Sequence, residues 1–466
     1  MFKKNPFISG TLILTATGII SRIIGFFYRI FLSHHIGEEG MGIYQLLAPV
    51  MALSFSLTCA GIQTSISKYT ASYIAKKQEK SAYRILATGF FLSLTLAVLT
   101  TCFLYRNAAW IAASLLTEAR CEPLVRIYAL SLPFACIHSC INGYYYGLKK
   151  SMVPSVTQLV EQLARVGSVF AIYTYSEYMR AEPSIAVTML GILIGEVCST
   201  LLSMTALYIH VAKKKVSEDY TDHIPMRRRI GSDTGQSATT YFYHLSEMLH
   251  MTLPLMANRL TLNFLQSVET VQIPNRLVMY GMSKSLALAN YGVLTGMTYP
   301  LILFPCAVTS SVSVLLLPYI SEAGAKGEFG KIKSAIRKSI LACLLLGSIC
   351  CVLFLLFGPF LGKLLFDSEL AGTYIQILSL ACPLLYLGGI LTSILNGLGK
   401  SLHAFCFNAF CLSLRLFFVI FMIPRIGMVG YLVGIFVSEL ALILLMISAL
   451  YRHLHRESCK FCVRGI

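Results

Sequence analysis

Apolar residues in this chain come in long unbroken runs, not in the short alternations of a soluble fold. Runs of about 20 residues recur throughout, each long enough to cross the roughly 30 Å hydrocarbon core of a bilayer as a helix. They predict twelve spans, at about 10–33, 43–74, 83–105, 124–147, 154–175, 184–210, 247–272, 286–318, 334–357, 370–396, 402–423 and 428–451. Six precede the longest hydrophilic stretch, 211–245, and six follow it. The expected fold is all-α and polytopic. It has an N-terminal six-helix lobe over 1–210, a cytoplasmic interlobe loop over 211–245 and a C-terminal six-helix lobe over 246–466 with a short cytoplasmic tail.

The second half repeats the first. A shift of 250 positions places Tyr69 on Tyr319, Lys76 on Lys326, Pro133 on Pro383, Gly147-Leu148 on Gly397-Leu398 and Arg165 on Arg415. Later the shift becomes 239, and Gly191, Gly195 and Ser199 meet Gly430, Gly434 and Ser438. A long membrane chain built from two parallel repeats points to a transporter. Gly191-x-x-x-Gly195 and Gly430-x-x-x-Gly434 are spaced for close helix packing. Span eight carries Gly292, Gly296, Pro300 and Pro305 and should bend.

Composition agrees with the pattern. Of 466 residues, 56% are hydrophobic and only 13% charged, against about 25% charged in soluble domains, and mean hydropathy is +0.70. The net charge of +17 does not indicate nucleic acid, because of where the charge lies. Most Lys and Arg fall in loops on one side, among them Lys76, Lys77, Lys149, Lys150, Lys213, Lys214 and Lys215. On the other side are only Arg106, Arg120, Arg180, Arg276, Lys284, Lys363 and Arg425. This bias puts both termini in the cytoplasm, and the basic loops suit anionic lipid headgroups. The first apolar run is too long for a cleavable signal peptide. Most of the 15 cysteines lie in spans and read as packing residues. Cys459-Lys460-Phe461-Cys462 reads as part of a solvated tail rather than a zinc site.

No Gly-rich phosphate loop, metal-binding cluster or Ser/His/Asp arrangement is evident. Neither an enzyme nor an ATP-driven pump is expected, and no cofactor or metal. The candidate chemistry is the charge inside the spans, where each ion costs at least about 2.5–3.5 kcal/mol unless paired or wet. The basic groups are Arg22, Arg29, Lys68, Arg126, Arg165, Arg259 and Arg415, and the acidic groups are Glu161, Glu196, Glu247, Glu269 and Glu439. Lys68, Arg126 and Glu247 fall near interfaces. Arg22 and Arg29 are seven residues apart, close to two turns, and share a face. Together with Arg259 on span seven they are candidate ligands for an anion. Glu161 and Arg165 have helix-pairing spacing and read either as a self-neutralising pair or as a gating element. Arg415, the repeat mate of Arg165, has Cys411 where the acid would stand and is open to another partner. Glu269 reads as the ion-pair partner of an arginine in the first lobe or as a proton or cation site.

Several segments carry a family resemblance. They are Ser21-Arg22-Ile23-Ile24-Gly25-Phe26-Phe27-Tyr28-Arg29, Gly37-Glu38-Glu39-Gly40-Met41-Gly42, Gly61-Ile62-Gln63-Thr64-Ser65, Glu161-Gln162-Leu163-Ala164-Arg165, Ile273-Pro274-Asn275-Arg276-Leu277, Tyr291-Gly292-Val293-Leu294-Thr295-Gly296, and Asn396-Gly397-Leu398-Gly399-Lys400. In this order they resemble the stage V sporulation protein B family of the multidrug/oligosaccharidyl-lipid/polysaccharide exporter superfamily. The resemblance implies two six-helix lobes in a V and a polyprenyl-diphosphate-linked sugar as substrate, such as lipid II or a related wall, spore-cortex or polysaccharide precursor. In the lipid II flippase branch first-helix arginines bind substrate; Arg22 matches the first, Tyr28 falls at the second, and Arg29 is one residue later. The expected function is outward flipping of such a lipid across a bacterial plasma membrane. A cation-coupled drug exporter and a non-transporting scaffold for wall synthesis are the alternatives. Membrane lipids, a coupling cation and wall-synthesis proteins are the expected further partners.

Overall fold

The computed structural model describes residues 6–180, 184–221, 237–325 and 329–464. Every regular element among them is helical. The chain divides into two compact units, one of residues 1–25 with 50–260, the other of 26–49 with 261–466. The division therefore passes within two helices, whereas the sequence pattern puts its boundary in 211–245; residues 222–236 of that stretch lie outside the described residues.

In the first unit lie the start of α1 (Pro6–Leu46), most of α2 (Ala48–Phe55), a π-helical turn at Ser56–Ala60, α3 (Gly61–Ala75), α4 (Glu79–Arg106), the short α5 (Ala108–Trp110), α6 (Glu122–Gly147), α7 (Met152–Tyr178), α8 (Val187–Thr221) and the start of α9 (Ser237–Met279). In the second lie the remainders of α1 and α9, then α10 (Lys284–Gly292), a π-helical turn at Val293–Thr298, α11 (Tyr299–Leu303), α12 (Cys306–Ala325), α13 (Phe329–Phe366), α14 (Glu369–Ser379), α15 (Cys382–Gly397), α16 (Ser401–Phe421), α17 (Ile423–Ile426) and α18 (Met428–Arg464).

Eight stretches among the described residues are long and apolar enough to cross a membrane, or nine with the bent pair Glu369–Ser379 and Cys382–Gly397. The twelve expected spans map onto these with three adjustments. Ile13–Ala75 counts as one stretch of 63 residues, but α1 breaks at Gly37, whose φ of 66° and ψ of −175° leave the helical region. It therefore holds spans one and two. Spans five and seven are α7 and α9, long enough at 27 and 43 residues but less apolar because they carry Glu161, Arg165, Arg259 and Glu269. The most apolar stretch, Gly330–Phe366, has mean hydropathy 3.0, yet its Leu341, Leu345, Ile349 and Leu356 are exposed. Such a face is explained by lipid.

The repeat is visible in backbone irregularity. Span two is interrupted at Leu47 and again by the π turn at Ser56–Ala60. Span eight is interrupted by the π turn at Val293–Thr298 and again at Phe304-Pro305. With the 250-residue shift these places coincide to within a few residues. Prolines mark both spans: Pro49, Pro300 and Pro305 each lack the N–H that a helix would use four residues back.

The small-residue motifs bring helices into backbone contact. A Cβ on Gly195 would lie 2.8 Å from the Glu161 carbonyl oxygen, and one on Gly191 would lie 3.0 Å from that of Arg165. In the second unit a Cβ on Gly434 would lie 2.7 Å from Phe418 Cβ, and one on Gly430 would lie 2.8 Å from Met422 C. Gly195→Leu is therefore expected to destabilise the first unit by about 1–3 kcal/mol, the range for overpacking. Gly195→Ala should do so less, and unfolding midpoints of detergent-solubilised protein would compare them. Apolar cores complete each unit, around Ile62, Ile66, Ile85, Tyr144 and Met248 in the first and Ile320, Ile336, Leu391, Ile394 and Met446 in the second. Cysteines pack in these cores and none of the described ones forms a disulfide; Cys59 and Cys136 meet at Sγ–Sγ 2.9 Å. The side chains of Cys459 and Cys462 lie outside the described residues.

Candidate functional site: intramembrane charges

Both units bury an ionic centre. In the first, Arg165 donates through Nη2 to Glu161 Oε1 one turn back on α7. On α8, Glu196 Oε2 lies 3.0 Å from His138 Nδ1 on α6. These side chains are 11–19% exposed. One ligand atom from each of His138, Glu161 and Glu196 can be chosen so that all lie within 4.8 Å of one another. Close contact of α8 with α7 at Gly191 and Gly195 places Glu196 there, since it follows Gly195 directly. A divalent metal would leave an excess positive charge beside Arg165, so the donor set fits a single positive charge better.

In the second unit Arg415 on α16 clasps Glu269 on α9. Arg415 Nε lies 2.7 Å from Glu269 Oε1 and Nη2 donates to Oε2 at 3.0 Å. Tyr431 Oη on α18 donates to Oε1 at 2.8 Å, and Glu439 Oε1 stands 3.8 Å from Arg415 Nη1. Glu269 is only 4% exposed. Buried charges persist only with such partners. Glu269 pairs with Arg415 of its own unit rather than with an arginine of the first six spans, and Arg415 fills the place a cation would take.

The three candidate anion ligands are placed differently. Arg22 and Arg259, on α1 and α9 of the first unit, are exposed. Arg29, in the second unit, is half-buried and its Nη1 donates to Gly296 O at 3.4 Å. That carbonyl lies four residues before Pro300, which has no N–H to offer it. The interfacial residues also find local partners. Arg126 Nη2 pairs with Glu122 Oε1 at 2.6 Å. Tyr73 Oη donates to Glu247 Oε2 at 2.7 Å and Tyr69 Oη to the Glu247 carbonyl at 2.9 Å, which ties α9 to α3.

Sequence reasoning missed His138, Tyr431 and the pairing of Arg415 with Glu269. A sequence signal existed for the first: His138 is a titratable side chain within a span, but counting only Asp, Glu, Lys and Arg passes over it.

The described residues thus form a multi-pass helical membrane protein with an ionic centre buried in each unit. A family model described as polysaccharide biosynthesis protein matches residues 7–324, and one described as MatE matches 252–421. The stage V sporulation protein B of Bacillus subtilis is 28% identical over 451 residues, covering 96% of this chain and 83% of that protein. The lipid II flippase MurJ of Bacillus subtilis is 23% identical over 417 residues, covering 86% of this chain and 74% of that protein. Among solved structures, a multidrug resistance MATE family transporter of the MOP superfamily in an inward-facing conformation superposes with TM-score 0.67 at 16% identity, covering 94% of this chain and 95% of that one.

The chain belongs to the polysaccharide biosynthesis protein family.

Proposed function

We propose that the chain flips a polyprenyl-diphosphate-linked sugar from the inner to the outer leaflet by alternating access of two six-helix lobes, with both termini in the cytoplasm. One observation carries this reading: Glu161 and Glu269 are enclosed beside arginines, while the exposed span charges Arg22 and Arg259 are basic. An exposed arginine in a span is tolerable in a wet cavity and far less so in lipid. A cavity with that polarity suits a diphosphate. Arg22 and Arg259 receive the phosphates, and Arg29, two turns along α1, is the third candidate contact. Outward movement of the anion is favoured by an inside-negative potential, by about 2.3 kcal/mol per charge per 100 mV.

The name of one relative, the lipid II flippase MurJ, supports lipid-linked cargo, either lipid II or another wall, cortex or polysaccharide precursor. The acid proposed for a cation-coupled drug exporter, Glu269, is held by Arg415. Reconstituted protein should translocate a fluorescent polyprenyl-diphosphate sugar, and soluble diphosphate headgroup should compete while organic cations should not. Efflux of organic cations without lipid translocation would replace this reading with the exporter. Inactivity toward both in folded protein, with loss of wall-synthesis partners on deletion of 211–245, would replace it with the scaffold.

A further inference from the structure

The centre in the first unit has one negative charge too many. Glu161 and Glu196 bring two and Arg165 returns one, with no other described acid or base in the cluster. In a medium of low polarity such a surplus is strongly disfavoured and draws in one positive charge. The place for it is visible. His138 is 9% exposed, and its Nδ1 faces Glu196 Oε2 at 3.0 Å. Both atoms are buried and neither has a well-directed hydrogen-bond partner. That separation is the length of a hydrogen bond. Sodium prefers oxygen donors over imidazole nitrogen, and a divalent ion would overshoot the charge.

Among the described residues, the titratable groups that act on His138 are Glu196, Glu161 and Cys136. Glu161 and Arg165 come from α7 and Glu196 from α8. The thiol of Cys136 shares α6 and meets that of Cys59 from the π turn at 2.9 Å. From α3, Gln63 accepts from Ser139 at 3.0 Å, and from α4, Ser93 donates to Thr58 O at 2.5 Å. Among the described residues, the second unit has no such cluster. The 250-residue shift places Gly388 opposite His138, and a Cβ there would lie 3.6 Å from Glu439 Oε2. One unit sets a histidine against its buried acid and the other a guanidinium.

We propose that His138, Glu161 and Glu196 form a proton-binding site that holds one exchangeable proton on the His138–Glu196 pair, and that this proton couples an inward proton gradient to transport. On loading, a proton from the open side forms an N–H bond at Nδ1 and the pair becomes imidazolium–carboxylate; on release that bond breaks and the proton leaves to the other side. No redox partner is needed. The site itself is independent of the cargo; only the coupling rests on the transport reading.

The test has two arms. The first follows ring ¹⁵N signals of the full chain in nanodiscs between about pH 5 and 9, the range in which histidine changes charge. His138→Gln identifies its resonance; if that variant does not fold, a chain keeping His138 as its one histidine serves instead. We expect the resonance to pass between imidazole and imidazolium. It should be displaced by about one pH unit or more in Glu196→Gln and be unmoved by sodium or zinc at fixed pH. A single protonation state throughout, or a response to either metal, would overturn the site. The second arm measures lipid translocation with acid outside. Wild type should speed up at least about tenfold over equal pH, equivalent to one pH unit of driving force for one proton, and His138→Gln should not respond. A titrating His138 with gradient-independent translocation would overturn the coupling alone, and absence of translocation with a titrating His138 would count against the cargo reading instead.

Discussion

Arg415→Met will destabilise the protein by about 3–5 kcal/mol, the range for stripping one partner from a buried ion pair. Glu269 is almost wholly enclosed and its two oxygens meet Nε, Nη2 and the Tyr431 hydroxyl. Without the guanidinium, Tyr431 alone remains to it, and Glu439 nearby carries the same charge. Adding Glu269→Gln should recover most of the loss, because the amide oxygen can still accept from Tyr431 and no orphan charge remains. Reversible SDS unfolding of wild type, both single variants and the double variant would give the coupling directly. Additive losses would mean that the pair is not a unit.

Arg22→Ala will leave folding intact and reduce translocation of a lipid-diphosphate by about 10- to 150-fold. That range follows from a charged hydrogen bond of about 1.5–3 kcal/mol at about 1.4 kcal/mol per tenfold. Folding survives because the side chain is exposed and not part of either core. Arg22→Lys should recover part of the rate, since the charge remains but the planar fork does not. Reconstituted translocation, normalised to folded protein, decides it. Undiminished transport in Arg22→Ala would remove the diphosphate from this arginine.

Much of this molecule was legible in its apolar runs and its internal repeat. The runs give the helices, Gly195 and Gly434 give close helix contacts at matching places, and Pro300 and Pro305 give the break in span eight. The Glu161–Arg165 pair was legible because it lies within one turn. What escaped depends on tertiary distance. Arg415 and Glu269 are 146 positions apart, and no local period links them. His138 and Glu196 stand on different helices, α6 and α8, and no local period links them either. The division into units was also hidden, since it cuts α1 and α9 in mid-helix, where composition does not change.

The paired interruptions of spans two and eight have a mechanical consequence. A continuous helix behaves as a stiff rod, whereas each of these spans is a rod with two joints and a short rigid link, Ala48–Phe55 in one and Tyr299–Leu303 in the other. Hydrogen bonds at the joints are already irregular, so curvature can change there without melting a regular turn. The elastic compliance of each span is therefore concentrated at two points, and backbone amides there should exchange with solvent deuterium sooner than those of the links and of the helices beyond.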